Sequence, residues 1–333
     1  MSENEAGSYR YDAFTGAWMI VAPARRRVRV VGRVPDALPE LDGACAFCPG
    51  NERLTGKAVH VVPQPRGDAW AVRVVQNLFP AVRSDLLSGE LPPGGRARPA
   101  FGAQEVVIEC PEHDLDLPDL PLAHLTCLLA VYRDRLRALS AREGVAHVSL
   151  FRNRGRRAGS SQPHPHAQLV ATQVAGREQA TRWRLAREFQ SKHGETLLAA
   201  TLRRERSLAL RVVAESSRFV ALTPFAPHGP YELWVAPRGP GACLRGLPDG
   251  ELGELAELLS EGIRVALEAS GRRAYNLVFR LPPAGALQHP AAFWTVEIRP
   301  RGGGPAGLEL TSGLDVVAVS PEQCAAEMRA LAR

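Results

Sequence analysis

The chain has 333 residues, 45% hydrophobic and 23% charged. Those values exclude a mini-protein, a disordered chain or a collagen-like repeat, and suit two ordinary domains or one large one. The formal charge of +6 is almost wholly arginine, scattered along the chain, with Lys57 and Lys192 the sole lysines. No compact basic helix with interleaved aromatics appears, so nucleic acid is not an expected partner. Arginine forks match phosphate oxygens, which makes small polyanions the better candidates. No apolar run reaches the roughly 18 residues of a membrane span. The opening MSENEAGSYR is acidic and polar, so a cytoplasmic protein with no membrane partner is expected.

In chain order, Trp18 to Val21, Trp70 to Val75, Glu105 to Glu109, Ala146 to Arg152 and Ala167 to Gln173 read as strands. Leu122 to Arg142 carries Leu125, Leu128, Leu129, Tyr132, Leu136 and Leu139 at helical spacing, so a long amphipathic helix is expected to lie on a sheet. A charged helix follows at about 177–193. Strands are expected at Leu208 to Ala214, Phe219 to Thr223 and Tyr231 to Ala236, then a second long helix at about 250–268. Strands Asn276 to Arg280 and Phe293 to Arg299 follow, and a last helix starts at Pro321 behind Ser320 as N-cap. The order of strands, long helix, strand, loop and strand occurs twice. Val148 to Arg152 (VSLFR) and Asn276 to Arg280 (NLVFR) hold matching places in it, which suggests a repeat with its boundary near 175.

Two clusters carry chemistry. Cys45 and Cys48 have the two-residue spacing that lets one turn offer two thiolates to a metal; a redox dithiol is the competing reading, but no strand-helix unit frames the pair. The other four cysteines are isolated in apolar segments. The second cluster is Gly159 to Gln168 (GSSQPHPHAQ), which runs into an apolar strand. Strand periodicity puts His164, His166 and Gln168 on one face. A solvated edge would explain the polar residues but neither the two prolines nor the Gly/Ser approach. A histidine so placed can attack phosphorus when its other ring nitrogen is held by an acceptor. Gln168 does not titrate, so its task would be to donate to a non-bridging phosphoryl oxygen.

The segment Phe151, Arg152, Asn153 to His166, Ala167, Gln168 resembles the active-site segment of galactose-1-phosphate uridylyltransferases, the nucleotidyltransferase branch of the histidine-triad superfamily. The likeness extends to Tyr9 to Trp18, to Cys45 to Glu52, to Asn77 to Pro80, and to Trp294 to Pro300 with Gly307 to Gly313. It implies an α+β fold of two tandem histidine-triad-like halves, each a mainly antiparallel sheet with a long packed helix. The halves would span 1–175, with the metal site and nucleophile, and 176–333, catalytically degenerate. His166 would be the nucleophile and Gln168 would hold the covalent intermediate. Asn77 and Asn153 would bind the nucleotide, and Ser160 and Ser161 the substrate, with Ser161 against phosphate. Arg25 would meet phosphate; the family's second arginine falls at Val28, leaving Arg29 or a neighbour to substitute. Cys45, Cys48, His113 and His164 would ligate a structural Zn2+, and a homodimer is implied in which the C-terminal loop of one subunit completes the other's site.

The reaction so implied moves a nucleoside monophosphate from a nucleotide sugar to a sugar 1-phosphate by a ping-pong route. Departures keep two alternatives open. Ser160 and Gln162 replace the usual Cys and Asn, and the stretch Glu309 to Asp315 lacks the lysine and aromatic residue that help hold hexose phosphate, with Glu309 set to repel it. A nucleotide-sugar phosphorylase that uses inorganic phosphate is one alternative; a zinc-stabilised nucleotide-binding protein without turnover is the other. Thr295 and Glu297 stand where the family often has histidines of a further metal site, so no second metal is expected. His228 lies in a loop expected near the substrate, whereas His60, His124, His147, His193 and His289 are expected in surface or satisfied-core roles.

Overall fold

The computed structural model describes residues 7–27, 45–65, 69–85, 97–239, 243–304 and 306–332; Val28 and Arg29 lie outside them. The first strands, β1 (Ser8–Asp12) and β2 (Ala17–Val21), form a hairpin. Next come β3 (Ala58–Pro63), β4 (Trp70–Gln76) and β5 (Gly102–Ile108), helix α1 (Leu122–Ser140), then β6 (His147–Arg154) and β7 (His166–Thr172). Helices α2 (Arg177–His193) and α3 (Leu197–Leu208) lead to β8 (Val212–Glu215), β9 (Phe219–Leu222) and β10 (Leu233–Pro237). Helix α4 (Asp249–Ser270), β11 (Tyr275–Arg280), β12 (Thr295–Pro300), α5 (Gly307–Ser312), β13 (Asp315–Val317) and α6 (Pro321–Arg329) complete the chain.

Ten strands make one sheet in the order β3-β4-β5-β7-β6-β11-β12-β10-β9-β8, every neighbour antiparallel. The order is a repeat: β3-β4-β5-β7-β6 in the first five strands matches β8-β9-β10-β12-β11 in the second. In each set the long helix, α1 or α4, falls between the third and fourth strands of the chain order. The fold is therefore α+β, with large antiparallel pairing and the two long helices packed together on one face. Leu125, Leu128, Leu129, Tyr132 and Leu136 of α1 and Leu255, Leu259 and Ile263 of α4 share one core with Leu150, Leu169, Leu233 and Leu277 of the sheet. The 3.6-residue spacing read from the sequence is the stripe that meets the sheet.

The opposite face is treated differently in its two parts. Over the second five strands α3 presses Leu197, Leu198 and Leu202 against Val220, Leu222, Trp234 and Ala236. Over the first five, a smaller patch of Trp70, Val75, Val106 and Ile108 meets, among the described residues, Phe47 and Ala58 of the loop and edge strand. That difference leaves room on the β5-β7-β6 face. A separate sheet, β1-β2-β13, ends in a parallel pairing of β13 with β2. No helix among the described residues is long and apolar enough to cross a membrane.

Several expected elements shift. The strand expected from Leu208 begins at Val212, because Thr196 caps α3 through Ala199 N and helix continues to Leu208. The stretch after the last large-sheet strand, expected as a loop, contains α5, and Glu309 accepts a hydrogen bond from Ala306 N at its start.

Candidate active site and metal centre

On β7 the alternation places His166, Gln168 and Val170 on the open face and Ala167, Leu169 and Ala171 in the α1 core. Ile108 and Val106 of β5 stand opposite His166 and Gln168, while Phe151 of β6 flanks Gln168 on the other side. His166 is 8% exposed and Phe47 packs edge-on against its ring, centroids 5.4 Å apart. Its Nδ1 lies 2.9 Å from the His164 carbonyl oxygen. A carbonyl only accepts, so Nδ1 carries the hydrogen and Nε2 keeps its lone pair. Burial holds the imidazole below its usual pKa, against the opposing pull of the His164 carbonyl and Glu109. A neutral, oriented imidazole is the form that acts as a nucleophile.

Cys45, Cys48, His113 and His164 offer four donor atoms within 4.8 Å of one another, a group that can hold a metal ion. Cys48 Sγ is 3.3 Å from His113 Nδ1 and 3.6 Å from His164 Nδ1. The turn that carries the thiols is closed by Cys48 N to Cys45 O and by Asn51 Nδ2 donating to Cys45 O. His164 is fully buried, and its Nε2 is committed to the Cys110 carbonyl at 2.9 Å, which turns Nδ1 toward the thiols. Burial, then the bond to and charge of Cys45, push the Cys48 thiol up to about 11. Two thiolates held there require a cation.

Two further side chains have fixed orientations. Asn276 of β11 sits opposite Asn153 of β6 and donates through Nδ2 both to Asn153 Oδ1 and to the Ala158 carbonyl, each at 2.8 Å. The Asn153 oxygen is thereby committed to Asn276. Gln168 Oε1 accepts from Gln104 Nε2 at 2.8 Å. The loop between β6 and β7 turns at Gly155 (φ +82°) and Gly159 (φ +83°), backbone that β-carbons disfavour. There Ser160 is buried and donates to the Gln162 carbonyl, whereas Ser161 is exposed. Asn77 begins the loop beside β5, its Oδ1 accepting from Phe79 N.

Arg25 stands elsewhere. It is exposed on the turn after β2, and its neighbour Arg26 pairs with Glu327 of α6. His228 is bound to Asp315 Oδ2 at 2.7 Å. His147 is buried, and its Nδ1 has no partner among the described residues, unlike the satisfied core residue expected. A cavity of about 720 Å3 lies over β6 and β11 and shares Phe151 and Asn153 with the site.

Beneath the site, on the helix side, Arg152 donates to Glu109 at 2.8 Å and to the Tyr275 hydroxyl at 2.8 Å, and pairs with Asp116 at 2.8 Å. Tyr132 also donates to Glu109. Sequence reasoning assigned Glu109 and Arg152 no role at the site. Their signal was a charge at a core-facing position, Arg152 on β6 and Glu109 just past the end of β5, the two strands that flank β7.

The family model of the galactose-1-phosphate uridyl transferase N-terminal domain matches residues 1–175. An ADP-glucose phosphorylase of Arabidopsis thaliana is 28% identical, over 98% of this chain and 93% of its own length. A galactose-1-phosphate uridylyltransferase of Haemophilus influenzae is 29% identical, over 76% of this chain and 71% of its own. The crystal structure of an Arabidopsis thaliana ADP-glucose phosphorylase with bound ADP-glucose superposes with a TM-score of 0.83 at 26% identity, covering 97% of this chain and 99% of that one.

Proposed function

This chain belongs to the galactose-1-phosphate uridyl transferase family, and from that premise we propose that it transfers a nucleoside monophosphate from a nucleotide sugar through a covalent nucleotidyl-histidine at His166. The observation that carries the reading is the Nδ1 bond to the His164 carbonyl, which leaves Nε2 as the nucleophilic lone pair. Nε2 attacks the α-phosphorus; an N–P bond forms, the pyrophosphate P–O bond breaks, and sugar 1-phosphate departs. The phosphorylated ring is an imidazolium whose Nδ1–H stays on the carbonyl. An acceptor phosphate oxygen then forms the new P–O bond as N–P breaks, which restores the neutral ring. Gln168 and Asn153 supply amide donors to the substrate, with Asn77, Ser161 and Arg25 as further contacts; Ser160, spent on Gln162, shapes the turn.

Inorganic phosphate is the acceptor we favour over a sugar 1-phosphate. The phosphorylase aligns with nearly the whole chain, the transferase with about three quarters of it, and the C-terminal segment lacks a lysine for hexose phosphate. The metal is zinc in this reading. Tetrahedral ligation with sulfur near 2.3 Å and nitrogen near 2.0 Å sets S···N distances of roughly 3.5 Å, and the observed 3.3 and 3.6 Å fit. Zinc held by four protein ligands supplies a cross-link and no open position. Residues 1–175 form the half with nucleophile and metal cluster, and 176–333 the half without. A homodimer completes the site: Arg25 follows β2, α5 precedes β13, and both mount on the small sheet with Leu308 and Leu310 of α5 exposed.

Incubation with labelled nucleotide sugar is expected to leave acid-labile nucleotide on the protein. His166→Asn should abolish the label with zinc content unchanged; full turnover in that variant overturns the proposal. Screening UDP-, ADP-, GDP- and dTDP-sugars against phosphate and sugar 1-phosphates identifies the acceptor.

A further inference from the structure

The amide of Gln168 can face the substrate in two ways, and only one is useful. Its amino group would stabilise a phosphoryl oxygen, whereas its carbonyl would repel one. The choice is made by a neighbour on β5. Gln104 Oε1 accepts from the backbone N–H of Ala81 at 2.8 Å. A backbone N–H only donates, so this end of the Gln104 amide must be its oxygen. The other end, Nε2, then donates to Gln168 at 2.8 Å, and the atom it meets must be Oε1. The Gln168 amino group is the end left over, on the face it shares with His166.

We infer that Gln104 is a positioning residue for the transfer proposed above: it reads one backbone N–H and converts it into the orientation of Gln168. Its own backbone ties the relay to the loop that begins the 77–81 stretch, since the Gln104 carbonyl accepts from Asn77 N at 3.0 Å. The inference rests on the His166 reading, and its test separates the two.

Gln104→Glu is nearly isosteric and keeps both hydrogen bonds, but its second carboxylate oxygen accepts where Nε2 donated. Gln168 must then rotate and present its carbonyl to the phosphoryl group. Formation of labelled nucleotidyl-protein in a single turnover should slow by about 100-fold, the loss typical of one oxyanion donor, a larger factor than the accompanying rise in nucleotide-sugar Kd, while melting temperature stays close to wild type. Gln104→Met, which frees Gln168 without inverting it, should slow the step less. In a Gln168→Met background, Gln104→Glu should add nothing, because the relay ends at Gln168.

Wild-type rates in Gln104→Glu would overturn the inference. So would an equal loss in the Gln168→Met background, which would mean that Gln104 acts by another route. Should Gln104→Glu fail to fold, the cycle of Gln104→Met with Gln168→Met decides in the same way. Absence of label in the wild type defeats the parent reading instead, and the relay with it.

Discussion

His147 sits 3% exposed with its Nδ1 unpartnered among the described residues, and burial, then the charges of Arg245 and Arg280, lower its pKa to about 4. Unfolded, the same ring takes a proton near 6.5. Below that value the unfolded chain binds a proton that the folded chain refuses, so stability falls as pH drops from 6.5 toward 4. Urea unfolding at pH 7 and pH 5 should show about 2 kcal/mol less stability at the lower pH from this group, and His147→Leu should remove that part of the slope. The Arg152–Glu109 pair behaves oppositely: both are buried and paired, so Glu109→Leu would leave a guanidinium short of one partner. The expected cost is about 3 kcal/mol, the low end for a broken buried pair because Asp116 remains; equilibrium unfolding measures it. Single residues were the most uneven part of the sequence to read. His166 and Gln168 declared themselves by alternation along one strand, whereas His164, expected on the same strand face, lies two residues ahead of the strand with its ring held between Cys48 and the Cys110 carbonyl. Glu109 with Arg152, from the two sides of β7, and Gln104 with Gln168, from adjacent strands, depend on the strand order of the sheet, and spacing within one strand does not carry that.

Among elements, the turn at 45–51 and strand β7 are coupled, because His164 offers Nδ1 to the thiols while its carbonyl holds the His166 ring. Cys48→Ser should therefore lower zinc content and melting temperature and also slow label formation, since a loosened His164 no longer fixes the tautomer; metal analysis and single-turnover labelling check both. Strands β6 and β11 are coupled through Asn276 and Asn153. Asn276→Ala should raise nucleotide-sugar Kd by roughly tenfold, the value of one hydrogen bond to a charged group, measured by calorimetry on His166→Asn protein. The long helices were legible because each shows apolar residues at 3.6-residue spacing over four turns or more. Edge strand β3 was missed: its closing Pro63 and exposed His60 and Val61 hide the alternation. Helix α3 was missed because arginines and Ser207 occupy its last turns, so its apolar stripe fades just where Leu208 begins to look like strand.

For the whole molecule, the repeat read from VSLFR and NLVFR has a geometric meaning that the sequence could not supply. The two segments are central neighbours, Phe151 opposite Val278 and Asn153 opposite Asn276, so ten strands hydrogen-bond without a break. The halves differ in what covers the open face, α3 in one and a shallow patch in the other. In the proposed dimer each site takes Arg25 from one subunit and His166 from the other. Mixing inactive Arg25→Ala and His166→Asn proteins after subunit exchange should restore activity to part of the population, and no recovery would confine the site to one chain.

The small sheet joins Val21, near the beginning of the chain, to Val317, near its end. During synthesis the β1-β2 hairpin emerges well before Asp315–Val317 and must wait for it, an interval of roughly 15–60 s at ribosomal speed. Throughout it the free edge of β2 is an open template beside exposed Trp18. A ribosome that stalls before Asp315 would make that interval permanent and leave the nascent protein with a sticky, unpaired strand edge.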